Sequence, residues 1–415
     1  MDNIFLPLII TLIIITILSI WIYIYCKDYF WLVISGFLIR LFLIFIHEQT
    51  RLFGDFDISD YLHYLTEFKQ FGSNDILSYI KPHSAFYTIL YPGWIYNNLE
   101  ESGLWVIRVV NAAIGVTIIA PISWIKQIVF SRKLSYTQVF IITFWPTWMR
   151  YNVEIGRASI SVLSIIVGLF ALLTLINQYK SNNNKIWNIY TVIILAFASF
   201  LRLHYIVYFL PIISLSFMNE VKKIKTSPYL LPIIYLISSL LTLIIVAIIL
   251  VIYQSITQQT YGLSSDNSLE AIISLSEEGE QGNSGYLQGI YPRTPLDFIW
   301  FLPLSGFYFM FSPMPWDIHS VFAAGSSLQA LIIFVWCFKA VIHKKKYISK
   351  NKMLNLLLVP IIFSSIAFGL GVKNAASAER WRLPSTLLLI LTTTSVLEYV
   401  KQERNIVSNW SDTKY

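Results

Sequence analysis

The chain has 415 residues, of which 56% are hydrophobic and 13% charged, with a net charge of +7 and a mean hydropathy of +0.63. Ordinary soluble domains carry about 25% charged residues, so this composition excludes a soluble globular class. The lysines sit in short loops between apolar runs, where they read as topogenic signals and not as a nucleic-acid surface.

The first apolar run, Ile4–Tyr25, follows Met1-Asp2-Asn3 without a basic flank, and no small-residue cleavage site precedes Cys26. It reads as a retained helix and not as a secretory signal. Further apolar runs bring the expectation to about eleven spans, at 4–25, 30–46, 104–123, 136–149, 158–178, 187–201, 204–218, 228–253, 320–341, 353–372 and 383–399. Cys26 and Cys337 lie at or within spans and far apart, which supports neither a disulfide framework nor a thiolate metal site.

Basic clusters recur at alternate span ends: Lys126/Arg132/Lys133, Lys180/Lys185, Lys222/Lys223/Lys225, Lys344/Lys345/Lys346 with Lys350/Lys352, and Lys401/Arg404. Assigning all of them to the cytoplasm puts the N-terminus outside and the C-terminus inside. Phe298–Phe311 breaks that alternation if it crosses fully. With Pro303 inside it and Pro313-Met314-Pro315-Trp316 after it, it is expected to be re-entrant or to lie in the outer interface. The predicted fold class is therefore all-α, a polytopic transmembrane helix bundle forming one membrane domain over residues 1–415. Two long segments face outward: a polar and aromatic loop at 47–103 with helical content, and a Gln/Ser/Glu/Gly-rich mobile loop at 254–297.

Ionisable residues collect on the face opposite the cytoplasm. Just beyond the second span runs Gly54-Asp55-Phe56-Asp57-Ile58-Ser59-Asp60-Tyr61, in which Asp57, Asp60, Tyr61 and Tyr64 share a face if a helix starts near Asp57. Carboxylates there suit proton abstraction from a sugar hydroxyl or the holding of a divalent cation. Asp57 or Ser59 equally suits the cap of a short interfacial helix. In the outer turn Trp145–Arg157, Glu154 stands between Arg150 and Arg157, an arrangement that fits an anionic headgroup or an interfacial belt. Arg202 and His204 occupy another outer turn. An arginine flanked by apolar residues asks for a partner, and its planar fork suits phosphate or a carboxylate such as Asp55 or Glu154. The last clusters are Trp316-Asp317 and the stretch from Lys373 to Pro384, whose Lys373, Arg380 and Arg382 oppose the topogenic rule. A bound anion or neutralisation by Glu379 accounts for them.

Nucleotide-binding glycine loops, His-Glu-x-x-His, Cys-x-x-Cys and Gly-x-Ser-x-Gly are absent from the sequence. The layout of an acidic first outer loop, Gly54-Asp55-Phe56-Asp57 to Tyr61, before a many-span body resembles the GT-C superfamily of membrane glycosyltransferases, which use polyprenyl-phosphate-linked sugars. Phe144-Trp145-Pro146-Thr147-Trp148 with Glu154 downstream, and Phe200-Leu201-Arg202 leading to Pro211, are similar to that group. Asn374 to Pro384 also resembles a basic motif of surface-polysaccharide (O-antigen or capsule) polymerases. The resemblance implies that Asp55 or Asp57 acts as general base. It implies further that Arg202, Arg380, Arg382 and Lys373 hold the donor phosphate, with Glu154, Arg157, His204, Trp316 and Asp317 in support. The implied partners are a polyprenyl-phosphate- or pyrophosphate-linked sugar, a glycan acceptor and membrane lipid, with no nucleic acid; metal dependence stays open. The implied place is the cell or inner membrane, with the active side non-cytoplasmic. A transporter or flippase of the same lipid-linked sugars is the competing class, and it predicts charges near the middle of spans and interrupted helices, whereas the charges here are expected at span ends.

Overall fold

A computed structural model of the chain describes residues 5–53, 56–72, 84–178, 185–201, 203–221, 285–287, 289–318 and 320–412. The chain divides into two compact units, Met1–Tyr205 and Ile206–Tyr415. Regular structure among the described residues is helical, apart from one isolated bridge between Gly285 and Asn374.

The first unit contains α1 (Phe5–Tyr25), α2 (Phe30–Thr50), α3 (Phe56–Glu67), α4 (Ser84–Leu90), α5 (Pro92–Leu99), α6 (Glu101–Thr117), α7 (Ile119–Phe130), α8 (Tyr136–Thr143), α9 (Pro146–Val153), α10 (Ala158–Gln178) and α11 (Lys185–Leu201). The second contains α12 (Ile206–Val221), α13 (Phe298–Phe311), α14 (Val321–Lys350), α15 (Lys352–Gly369) and α16 (Ala375–Asp412). Six stretches among the described residues are long and apolar enough to cross a membrane: Phe5–Tyr25, Lys27–Thr50, Glu101–Phe130, Ala158–Asn177, Val321–Ile342 and Lys352–Gly369. At 1.5 Å per residue a helix the length of α1 rises about 31 Å, the thickness of the hydrocarbon core.

The other expected spans take different forms. The segment 228–253 lies outside the described residues, as does 254–284 of the expected outer loop. α11 and α12 have 17 and 16 residues. The segment expected as one span at 136–149 is broken into α8 and α9. The cause is Pro146, which has no N–H for the carbonyl of Ile142 and drives Trp145 out of the helical region, to φ −61° and ψ 119°. The expected last span lies inside the 38-residue α16, which begins at Ala375 and so carries Arg380 and Arg382 on a helix. α13 has 14 residues and rises about 21 Å, short of a full crossing.

α6 is the centre of the first unit and packs against α1, α2, α5, α9 and α10. Its buried face alternates small and branched residues, Val106, Ile107, Val109, Ala112, Gly115 and Val116, and carries Arg108 and Asn111 with them. Gly115 is required by α9: a Cβ there would stand 2.1 Å from the Asn152 amide oxygen. That closeness lets the Trp148 indole donate to the Gly115 carbonyl at 3.2 Å. α1 and α14, by contrast, leave much of their apolar surface outside, with Phe5 at 78% and Val321 at 88% exposure, as lipid-facing helices do.

In the second unit α15 packs against α12, α13 and α16, and α14 lies along α16. α13 crosses α15 closely because residue 369 is glycine; a Cβ there would lie 2.6 Å from the Ser305 carbonyl.

Candidate functional site

In the first unit α3 packs onto the turn that carries Glu154. Its side chains Tyr61 and Leu65 are buried in one cluster with Tyr87 of α4, Ile107 of α6 and Ile155 in the turn after α9. The Tyr61 ring lies edge-on to Tyr87 at 6.0 Å and fills the space above Gly156, where a Cβ would be 3.0 Å from the ring. The acidic helix and the Glu154–Arg157 turn, separate in sequence, are thus one structure. Asp57 belongs to α3, with its side chain outside the described residues, and Asp55 lies outside them altogether.

A buried polar network stands beneath this contact. The Tyr87 hydroxyl donates to the Ile155 carbonyl at 2.7 Å. The Asn111 amide donates to the carbonyls of Glu154 at 2.7 Å and Gly156 at 3.1 Å, and its oxygen accepts from the Tyr91 hydroxyl. The turn 154–156 has no helical partners for these carbonyls, so Asn111 and Tyr87 supply the donors that burial would otherwise leave missing. Burial pushes the Tyr87 hydroxyl well above the ordinary tyrosine range, with Tyr91, Asn111 and nearby Arg157 pulling weakly the other way. Burial raises Tyr91 likewise.

Several charged groups lie near this turn. Glu154 is 6% exposed, and its carboxylate accepts from Arg150 Nε at 3.3 Å. Arg108, fully buried, is paired with Glu48 near the end of α2 and also feels the charge of Glu154. Arg157 is half-buried. His204 is half-buried in a short 3₁₀ turn, its ring 4.9 Å from that of Tyr205, and Arg202 lies outside the described residues. Glu48, Arg108, Arg150, Glu154 and Arg157 form an acid-and-base cluster of two carboxylates and three guanidinia near the ends of α2 and α9.

The basic motif of the second unit is built differently. Lys373 is fully buried; its ammonium donates to the Ile290 carbonyl at 2.9 Å and rests 4.4 Å from the Tyr291 ring. The strand-like pairing of Tyr286 N with Lys373 O at 2.8 Å ties the segment before α13 to the start of α16. Arg382 is 6% exposed and donates to Phe309 O at 2.9 Å, capping the last turn of α13. Of the three cations, Arg380 alone is half-exposed. Glu379 is 5% exposed, and its Oε1 has no hydrogen-bond partner among the described residues. Trp316 is 68% exposed, and Asp317 accepts from Met314 N at 3.2 Å, closing a 3₁₀ turn.

Among the described residues no group of three His, Cys, Asp or Glu is placed to hold a metal ion. Sequence reading passed over Arg40, Glu48, Tyr87, Tyr91, Arg108 and Asn111. The available signal was the polar residue inside an apolar run, Leu-Ile-Arg40-Leu-Phe and Val-Ile-Arg108-Val-Val-Asn111, where the last two share a helical face. Charges are therefore not confined to span ends: Arg40 sits at the midpoint of α2, fully buried.

Fold and composition together define a helical membrane protein, all-α in its regular structure, with several helices able to span a bilayer. No family model, curated protein or solved structure matches the chain.

Proposed function

We propose that the chain is a membrane glycosyltransferase that moves a sugar from a polyprenyl-phosphate-linked donor to a lipid-linked glycan or other surface acceptor on the non-cytoplasmic side. The observation that carries this reading is the docking of α3, the helix bearing Asp57 and Asp60, onto the buried Glu154 turn through Tyr61. That contact brings an acidic outer helix to a cluster of guanidinia at the end of membrane-length helices.

In the proposed reaction the acceptor oxygen attacks the anomeric carbon, its proton passes to Asp55 or Asp57, and the bond to the lipid phosphate breaks. The leaving phosphate carries the negative charge away, and arginines stabilise it as it develops. Arg202, Arg380, Arg382 and Lys373 are assigned to it by resemblance. Half-exposed Arg380 is the best suited of the described three, since Lys373 and Arg382 are buried. A repeat-unit polymerase uses the same chemistry with both substrates on pyrophosphate lipids.

One observation favours a second reading, transport of lipid-linked sugars. α8 and α9 form an interrupted helix beside the mid-helix cation Arg40, and discontinuous helices with internal charge are a transporter trait.

Lipid-linked glycans from cells carrying the wild-type gene, a null, Asp57→Asn or Arg380→Ala, with membrane levels matched, test the proposal on gels. A glycan one sugar short in the null and both variants supports the transferase, and a single capped unit without a ladder supports the polymerase. Full-length glycan retained on the cytoplasmic side supports transport. If both variants match wild type while the null does not, the assigned residues are not the site.

A further inference from the structure

At the end of the first unit remote from Glu154, the turn after α1 meets the turn before α8. Lys133 pairs with Asp28 at 2.9 Å, the Tyr136 hydroxyl donates to the Asp28 carbonyl at 2.8 Å, and the Tyr29 ring stands edge-on to Tyr136 at 5.4 Å. Running from this junction along α2 and α8 is an open groove of about 580 Å³, lined by Trp31, Leu32, Ser35, Tyr136, Thr137 and Phe140. Its walls are apolar and outward-facing: Trp31 is 81%, Tyr136 66% and Phe140 55% exposed. The Ser35 hydroxyl proton is turned back onto the Leu32 carbonyl at 2.9 Å.

One wall of the groove is α2, a helix long and apolar enough to cross a membrane, and the rim is basic. Lys27, Arg132 and Lys133 flank the junction against the single carboxylate of Asp28. An apolar trough that ends in an aromatic pair and a surplus of cations has the dimensions and charge order of a tail followed by an anionic head. We propose that this groove is a binding site for an anionic phospholipid of the surrounding bilayer, with one acyl chain along Trp31, Leu32 and Phe140 and the phosphate at Arg132 and Lys133. A zwitterionic lipid fits the same trough but finds no net attraction at the rim. The site is separate from the Glu154 cluster and does not depend on the function proposed above.

The test uses the full chain in nanodiscs of phosphatidylcholine containing a rising fraction of dibrominated phosphatidylglycerol or dibrominated phosphatidylcholine. Trp31 emission is taken as the difference between wild type and Trp31→Phe, which removes the fluorophore in the groove and keeps an aromatic ring there. The expected result is half-quenching at an about fivefold lower fraction of the glycerol lipid, the gain that one basic residue brings at a membrane surface. Arg132→Gln with Lys133→Gln, both at the solvent edge, brings the two curves together. Coincident curves in the wild type overturn the proposal, as does a preference that survives the double substitution.

Discussion

Arg40 Nη2 donates to the Thr143 carbonyl at 2.8 Å, joining the midpoint of α2 to the end of α8. Its Nη1 donates to Gly36 O at 2.9 Å, while Nε has no hydrogen-bond partner among the described residues. Thr143 O would bond to residue 147 if the helix ran on, so the break at Trp145-Pro146 releases the acceptor that Arg40 takes up. Among the described residues this buried guanidinium is held by carbonyls and paired with no carboxylate, which is costly in an apolar setting because its desolvation is not offset. Arg40→Leu is therefore expected to keep or raise the thermal midpoint, read by thiol-dye labelling of buried Cys26, while lowering glycan assembly. A stability loss of about 1–3 kcal/mol instead assigns Arg40 to satisfying the Thr143 carbonyl.

Glu154 offers the direct test of the first-unit cluster. Replacing it by glutamine keeps shape and one hydrogen-bond acceptor but removes the charge facing Arg150 and Arg108. Glycan assembly in cells is expected to fall at least about tenfold at unchanged membrane level, as for loss of a charged group from a reaction centre. Unchanged assembly removes Glu154 from the functional site.

Tyr87 and Tyr91 make the unit sensitive to alkali. Their hydroxyls are raised by burial, so the folded state holds these protons more tightly than the unfolded state, where tyrosine ionises near about pH 10. Stability from them is full below that pH and is lost as pH rises above it. The thermal midpoint of wild type should fall between pH 10 and 11 (the range set by about 10 for free tyrosine), and that of Tyr87→Phe should fall less. At neutral pH, Tyr87→Phe costs about 1 kcal/mol for the hydrogen bond to Ile155 O.

Gly115 and Asn152 form a steric pair. Gly115→Ala forces the amide side chain from its place, where it donates to Trp148 O and accepts from Ser159 Oγ at 2.7 Å. Overpacking of this kind costs about 1–3 kcal/mol. In Asn152→Ala the same glycine substitution should cost less, and additive losses in the double variant would show that the two positions do not touch.

Arg382→Met removes the donor from the C-terminal carbonyl Phe309 O of α13. Labelling of half-buried Cys337 on α14 should then begin at lower temperature, by a loss of about 1–3 kcal/mol. Arg380→Met, at a half-exposed position of the same helix, should leave the midpoint within about 0.5 kcal/mol. Equal losses would contradict the capping role of Arg382.

Much of this was legible in the chain because a bilayer imposes one rule, that apolar runs of about 20 residues become helices with every backbone group satisfied inside. α1, α2, α10 and α15 follow from that rule, and the helical start near Asp57 follows from the Asp-Ile-Ser-Asp pattern of α3. The same rule obscured α8 and α9, since a hydropathy window does not register one proline in an apolar run. It also obscured Arg40, Arg108 and Asn111, each diluted by hydrophobic neighbours.

The amino-acid order by itself determined the class, an all-α membrane protein, because hydrophobicity and helix length are local properties. Only the tertiary structure decided that Tyr61 of α3 covers Gly156, that Asn111 and Tyr87 hold the Glu154 turn, and that Lys373 and Arg382 serve carbonyls of their own unit. These are pairings across tens of residues or more, set by which buried carbonyls lack a donor after helices break and pack. A short motif does not carry that information; the packed helices do.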